Sequence, residues 1–253
     1  MKKLLHTLAA VGLVATPFVS ARADLMLVTP DLITLGGTGL GAVNTVLTIQ
    51  GQGSATTEAG CVSFSGSGDV LGTAPTGANS ACQGSAGDVK TGASQTQTRT
   101  LAEAGITSGS DFAVFFNAAE PGGNSITLNS LVVTFYSATG TVLHTATFNE
   151  TSHDFLQTAT GTGNTGYLFA LTSGEQTALN TAIAANGGPT GVHVGISASA
   201  GTPLAAQAGN ETFFIFNRQT TPVVATPEPT TTVMLATGLF GLVGVVRRRR
   251  NRQ

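Results

Sequence analysis

In Leu131-Val132-Val133-Thr134-Phe135-Tyr136-Ser137-Ala138-Thr139-Gly140-Thr141-Val142-Leu143-His144-Thr145-Ala146-Thr147-Phe148, two alternating runs flank a turn signal. Leu131, Val133 and Phe135 share one phase; Val142, His144, Ala146 and Phe148 share another. A period of two puts each set on one face of an extended strand, and Ala138-Thr139-Gly140 suits a tight reversal between them. The stretch predicts two antiparallel strands with one buried face.

The same signal recurs on both sides. Phe112, Val114 and Phe116 alternate upstream, and Val192, Val194 and Ile196 alternate downstream. Residues 211–217 contain the continuous apolar run Phe213-Phe214-Ile215-Phe216, which suits a strand covered on both faces. Near the start, Val43-Asn44-Thr45-Val46-Leu47-Thr48-Ile49 has the β-branched content and length of a strand. One helix interrupts the pattern. Ser173 and Gln176 have capping-box spacing, Ala178, Leu179, Ala182 and Ile183 fall on one face, and Asn186-Gly187-Gly188 ends the run. The expectation is a mainly β domain over residues 24–217. It is an antiparallel β-sandwich of Ig-like or jelly-roll type, with the short helix capping one end.

Residues 51–109 are dominated by Gly, Ser, Thr and Ala and read as long loops with short strands. Gly66-Ser67-Gly68-Asp69-Val70 and Ser85-Ala86-Gly87-Asp88-Val89 look alike, but two copies are too few for a repeat architecture and read as turn chemistry. Calcium binding through Asp69 or Asp88 would need the spaced carboxylates of an EF-hand loop, which are missing. Cys61 and Cys82, the two cysteines of the chain, lie in this segment. An even count in an exported chain favours a disulfide, whereas two cysteines without nearby histidines fall short of a zinc set.

Export itself is read from the ends. Met1-Lys2-Lys3, an apolar stretch over residues 4–19 and Ala21-Arg22-Ala23 form the order of a secretory signal peptide, residues 1–23, with cleavage between Ala23 and Asp24. A retained span is disfavoured by His6, Pro17 and the short length. At the other end, residues 218–229 form a linker containing Pro227, Glu228 and Pro229. Uncharged residues 230–246 follow, then a basic tail over residues 247–253 with Arg247, Arg248, Arg249 and Arg250. As a transmembrane helix the uncharged segment would run about 26 Å, most of a hydrocarbon core. The arginines would stay cytoplasmic.

The tail resembles the PEP-CTERM sorting domain of Gram-negative, biofilm-forming bacteria. Pro227, Glu228 and Pro229, the apolar segment with Gly238, Gly241 and Gly244, and Arg247 to Arg250 carry the likeness, which covers about the last 28 residues. The resemblance implies recognition by an exosortase, a membrane protease that cuts near the Pro-Glu-Pro motif. The span is then a transient inner-membrane anchor, and the host makes extracellular polysaccharide.

Charge narrows the function of the middle. Residues 24–228 hold thirteen acidic side chains against Lys90, Arg99 and Arg218, a formal charge of −10. Nucleic-acid binding relies on Lys and Arg neutralising phosphates and is therefore disfavoured. Gly37-Thr38-Gly39-Leu40-Gly41-Ala42 contains part of a dinucleotide fingerprint, but the required helix is replaced by the β-branched run from Val43. No cofactor is expected.

His144, His153 and His193 are the histidines outside the leader. His153 with Asp154 is the nearest approach to a catalytic or metal-binding pair; His144 reads as a core residue and His193 as facing water. Neither His-Glu-x-x-His nor Gly-x-Ser-x-Gly occurs. Thr96, Thr98 and Thr100 make one short hydroxyl row, which reads as a surface strand rather than an ice- or crystal-binding face. With no Trp and only Tyr136 and Tyr167, the usual aromatic sugar platform is scarce, leaving Asn, Asp and backbone groups for such contacts. The expectation is a non-enzymatic, exosortase-sorted structural protein of the cell surface or extracellular matrix. A carbohydrate-binding or adhesive module comes second and a secreted hydrolase third.

Overall fold

The structure is a computed structural model. It describes residues 24–28, 33–34, 43–51, 55–73, 82–119, 125–148, 153–155, 165–206 and 209–219. The signal peptide, the segment 35–42, the Pro-Glu-Pro motif, the expected span and the arginine cluster lie outside them. Among the described residues, no helix is long and apolar enough to cross a membrane.

In chain order the strands are β1 (Leu25–Leu27), β2 (Ile33–Thr34), β3 (Asn44–Ile49), β4 (Thr57–Phe64), β5 (Asp69–Gly72), β6 (Arg99–Thr100) and β7 (Phe112–Asn117). They continue as β8 (Ile126–Ser137), β9 (Val142–Phe148), β10 (His153–Phe155), β11 (Thr165–Leu171), β12 (Val192–Gly201) and β13 (Glu211–Asn217). The helix α1 (Ser173–Ala185) separates β11 from β12. One sheet has the order β1-β11-β7-β13-β3, with β2 also on β11. The other has the order β10-β8-β12-β4-β5, with β9 also on β8 and β6 on β12. All pairings are antiparallel, and neither sheet closes into a barrel.

The predicted alternations account for the core between the sheets. Phe112, Val114 and Phe116 of β7 are fully buried, as are Leu131, Val133 and Phe135 of β8 and Val192 and Val194 of β12. Aromatic contacts knit the layers together. Phe116 stacks on Phe213 at 4.8 Å between centroids and meets Phe155 edge-on at 5.4 Å, and Phe112 meets Phe135 at 5.0 Å. The run in β13 is indeed covered twice: Phe213 and Ile215 face the core, while Phe214 joins Ala113, Phe115 and Leu168 in a second apolar cluster. The turn after β8 closes with Ser137 N donating to Thr141 O at 2.8 Å. Gly140 there has φ +81°, a conformation other residues resist.

Two expectations need correction. The capping box on Ser173 does not form, because the helix starts one residue earlier than that spacing requires. Thr172 is the N-cap, Ser173 is already helical, and Gln176 reaches back to donate from Nε2 to Leu171 O at 2.9 Å. Leu179, Ala182 and Ile183 are buried, and α1 carries the chain from the first sheet to the second across one end.

The segment 51–109 holds the short strands expected of it, β5 and β6, but also one long strand that was not expected. β4 is an eight-residue strand between β12 and β5, and it escaped notice because Gly60, Cys61 and Ser63 carry little hydrophobic signal. Small size is what the position needs: a Cβ on Gly60 would come within 2.5 Å of Ile49 Cγ2 and of Val89 Cγ2. Residues 86–99 then cover the outer edge of β3. Gln50 N donates to Asp88 O at 2.9 Å, Lys90 N to Thr48 O at 3.0 Å and Gln97 N to Val46 O at 3.1 Å. An edge paired in this way is closed to another chain.

Candidate functional site

The edge-covering segment also builds an open groove of about 270 Å³ lined by Gln50, Asp88, Lys90 and Gln95, with backbone from Gly87 and Gly92. Several of its polar atoms are already held. Asp88 Oδ2 accepts from Ala59 N at 2.9 Å, and Gln95 Oε1 accepts from Gly92 N at 2.8 Å. The side chains are thereby oriented while the groove stays hydrophilic, which suits hydroxylated ligands more than apolar ones. The Cys61–Cys82 disulfide, with Cα atoms 5.9 Å apart, ties the start of this segment to β4. Sequence reading missed the groove, since Gln50, Lys90 and Gln95 are isolated polar residues without periodicity or motif.

The histidines and Asp154 do not converge. His153 lies on β10 with its ring against Phe155 at 4.6 Å, whereas Asp154 Oδ1 accepts from Thr127 Oγ1 at 2.6 Å. Consecutive strand residues point to opposite faces, so the two do not act on one atom. His144 is on the core side of β9, stacked with Phe135 at 6.1 Å, but the strand lies at an edge. It is therefore only half-buried and pairs through Nε2 with Glu175 Oε2 of α1. His193 occupies the outer face of β12, yet its ring stacks on Phe64 at 3.8 Å and is partly shielded. Burial holds its pKa below the usual histidine range, against the pull of the Glu103 and Asp69 carboxylates. A neutral imidazole therefore predominates at neutral pH. Replacing His153 and Asp154 together with Ala should change no activity; glycan- and peptide-hydrolysis assays on the folded double variant check this.

The remaining candidates serve the fold. Thr96 Oγ1 accepts from Thr48 N at 3.1 Å, Thr98 Oγ1 donates to Asp69 Oδ1 at 2.5 Å and Thr100 Oγ1 donates to Glu103 Oε2 at 3.0 Å, so the hydroxyl row is used internally. Asp69 and Asp88 brace loops, and among the described residues no group of three or more His, Cys, Asp or Glu side chains could hold a metal ion. β3 begins at Asn44, directly after the Gly-rich fingerprint, so no helix follows it to face a pyrophosphate.

The two ends of the domain are firmly fixed. Asp24, next to the expected cleavage point, donates from N to Thr147 O at 3.1 Å and accepts at O from Thr172 N at 3.1 Å. Arg218 N donates to Asp111 O at 2.8 Å. Beyond it, residues 225–250 match the family model of the PEP-CTERM protein-sorting motif. The match is confined to the tail. It implies export, membrane anchoring of the precursor and processing by an exosortase, a membrane protease. No curated protein and no solved structure matches the chain.

Proposed function

We propose that the mature domain is a non-enzymatic structural component of the cell surface or extracellular matrix, delivered by exosortase sorting and acting by contact with extracellular polysaccharide. The observation that carries this reading is the sorting motif at residues 225–250 behind a β domain in which, among the described residues, His144, His153 and Asp154 do not converge. An active site needs a convergent set of such groups in perturbed environments. The dispersal of His153 and Asp154 also argues against the hydrolase reading.

Intact mass of the secreted product tests the sorting half. The expected form begins at Asp24 and lacks Arg247 to Arg250; an uncut chain as the major extracellular product would refute it. Deleting residues 24–217 while keeping both signals should alter matrix or surface properties, which tests the structural half. The second reading, a carbohydrate-binding or adhesive module, is favoured by the hydrophilic groove at Gln50, Asp88, Lys90 and Gln95.

A further inference from the structure

The groove beside β3 holds hydrogen-bonding groups that the fold positions without using up. Ile49 pairs with Val89 across the edge of β3, and on either side of that pair Gln50 N donates to Asp88 O and Lys90 N to Thr48 O. Residues 88–90 are therefore extended. Alternation along such a run puts Asp88 and Lys90 on one side, about 7 Å apart along the chain, with Val89 turned into the core between them. Gln50 and Gln95 line the same groove.

Each group keeps capacity for a ligand. Asp88 accepts from Ala59 N through Oδ2, and among the described residues no donor of the protein meets its Oδ1. Gln95 is pinned at three points: Oε1 accepts from Gly92 N, N donates to Gly92 O at 3.0 Å and O accepts from Thr48 Oγ1 at 2.9 Å. Its Nε2 is left to donate. Lys90 forms no ion pair among the described residues, so its ammonium is a second donor at the same place.

We propose that this groove binds a neutral hexose polymer, Asp88 Oδ1 accepting from sugar hydroxyls while Lys90 Nζ and Gln95 Nε2 donate to them. The proposal rests on the polysaccharide-contact reading above and gives it a site and a ligand class. Neighbouring hydroxyls on a sugar ring offer hydrogens and lone pairs side by side, and a carboxylate two positions from an ammonium answers both. Asp88 and Lys90 cancel in charge, but residues 24–228 around them sum to −10, so a polyanion is repelled by the domain that surrounds the site. The groove is open, which admits an interior stretch of a chain. Its lining contains no aromatic ring, so one sugar is held weakly and binding depends on many units of a polymer meeting many copies of the protein.

The test is affinity electrophoresis of the secreted protein in gels containing galactomannan, dextran, alginate or the producing bacterium's own extracellular polysaccharide. Retardation is expected in a neutral gel, galactomannan or dextran. Lys90→Met and Asp88→Asn should each weaken it about tenfold, the cost of one hydrogen bond to a charged group. Lys90→Met keeps the backbone bond to Thr48, and Asp88→Asn keeps an oxygen for Ala59 N; thermal unfolding close to that of the native protein verifies the fold, and if one variant fails this check the other decides. Neutral-gel retardation unchanged in the folded variants would overturn the groove as the site and leave polysaccharide contact standing. Retardation in alginate or the host polymer with none in either neutral gel would overturn the neutral ligand. Absence of retardation in all four gels would overturn this proposal and the polysaccharide-contact reading together.

Discussion

Phe116→Ala is expected to destabilise the domain by about 4 kcal/mol, in the range for deleting a buried aromatic ring. Phe116 is fully buried on β7, a strand flanked by β11 and β13, and its ring touches Phe213 on one side and Phe155 on the other. Phe155 in turn packs on Tyr167 at 4.6 Å and on Phe169 at 5.9 Å, so the void would open in the middle of an aromatic cluster. Rigid strands on both sides limit collapse into that void, which places the cost toward the upper part of the range. For a domain of this size the melting temperature should fall by roughly 8–16 °C. Thermal or denaturant unfolding of the mature domain measures it, and a loss below about 1 kcal/mol would mean that the cluster does not hold the sheets together.

That core was legible because its strands alternate. β7, β8, β9, β12 and β13 each carry large apolar residues at every second position or in an unbroken run, and β3 carries β-branched residues. β4 was hidden by the requirement that made it work, a glycine where Ile49 and Val89 press against the strand. β11 contains Gly166 for a similar reason: a Cβ there would lie 2.2 Å from Phe116 O. β1 and β2, with three and two residues, are too short to show a period. The groove was illegible on other grounds, since it arises where residues 86–95 fold onto the end of β3, and such juxtaposition leaves no trace in local pattern. Of the histidines, phase placed His144 and His193 on their correct faces but could not foresee Glu175 or Phe64 beside them.

Removing the disulfide, as Cys61→Ala with Cys82→Ala, should cost about 3 kcal/mol on the chain-entropy model. The two cysteines are 21 positions apart, so the bond closes a loop long enough for that constraint to matter. Its effect should be uneven. Cys61 sits within β4, paired with Ser197 of β12 and Gly72 of β5, and its strand keeps those backbone bonds without the sulfur. Cys82 lies outside the strands; its N–H donates to Ser63 Oγ at 3.1 Å, the next residue, Gln83, accepts at O from Thr73 N at 3.2 Å, and residues 86–99 beyond lie along the edge of β3. Native-state hydrogen exchange should therefore show faster exchange at the amides of Lys90 and Gln97, whose acceptors are Thr48 O and Val46 O, with little change at Val114 and Phe116. Thiol counting on denatured, unreduced native protein should find none free, and two reactive thiols per chain would remove the premise. If Lys90 and Gln97 exchange at the native rate in the double variant, the edge bonds alone hold the groove and the disulfide serves only global stability.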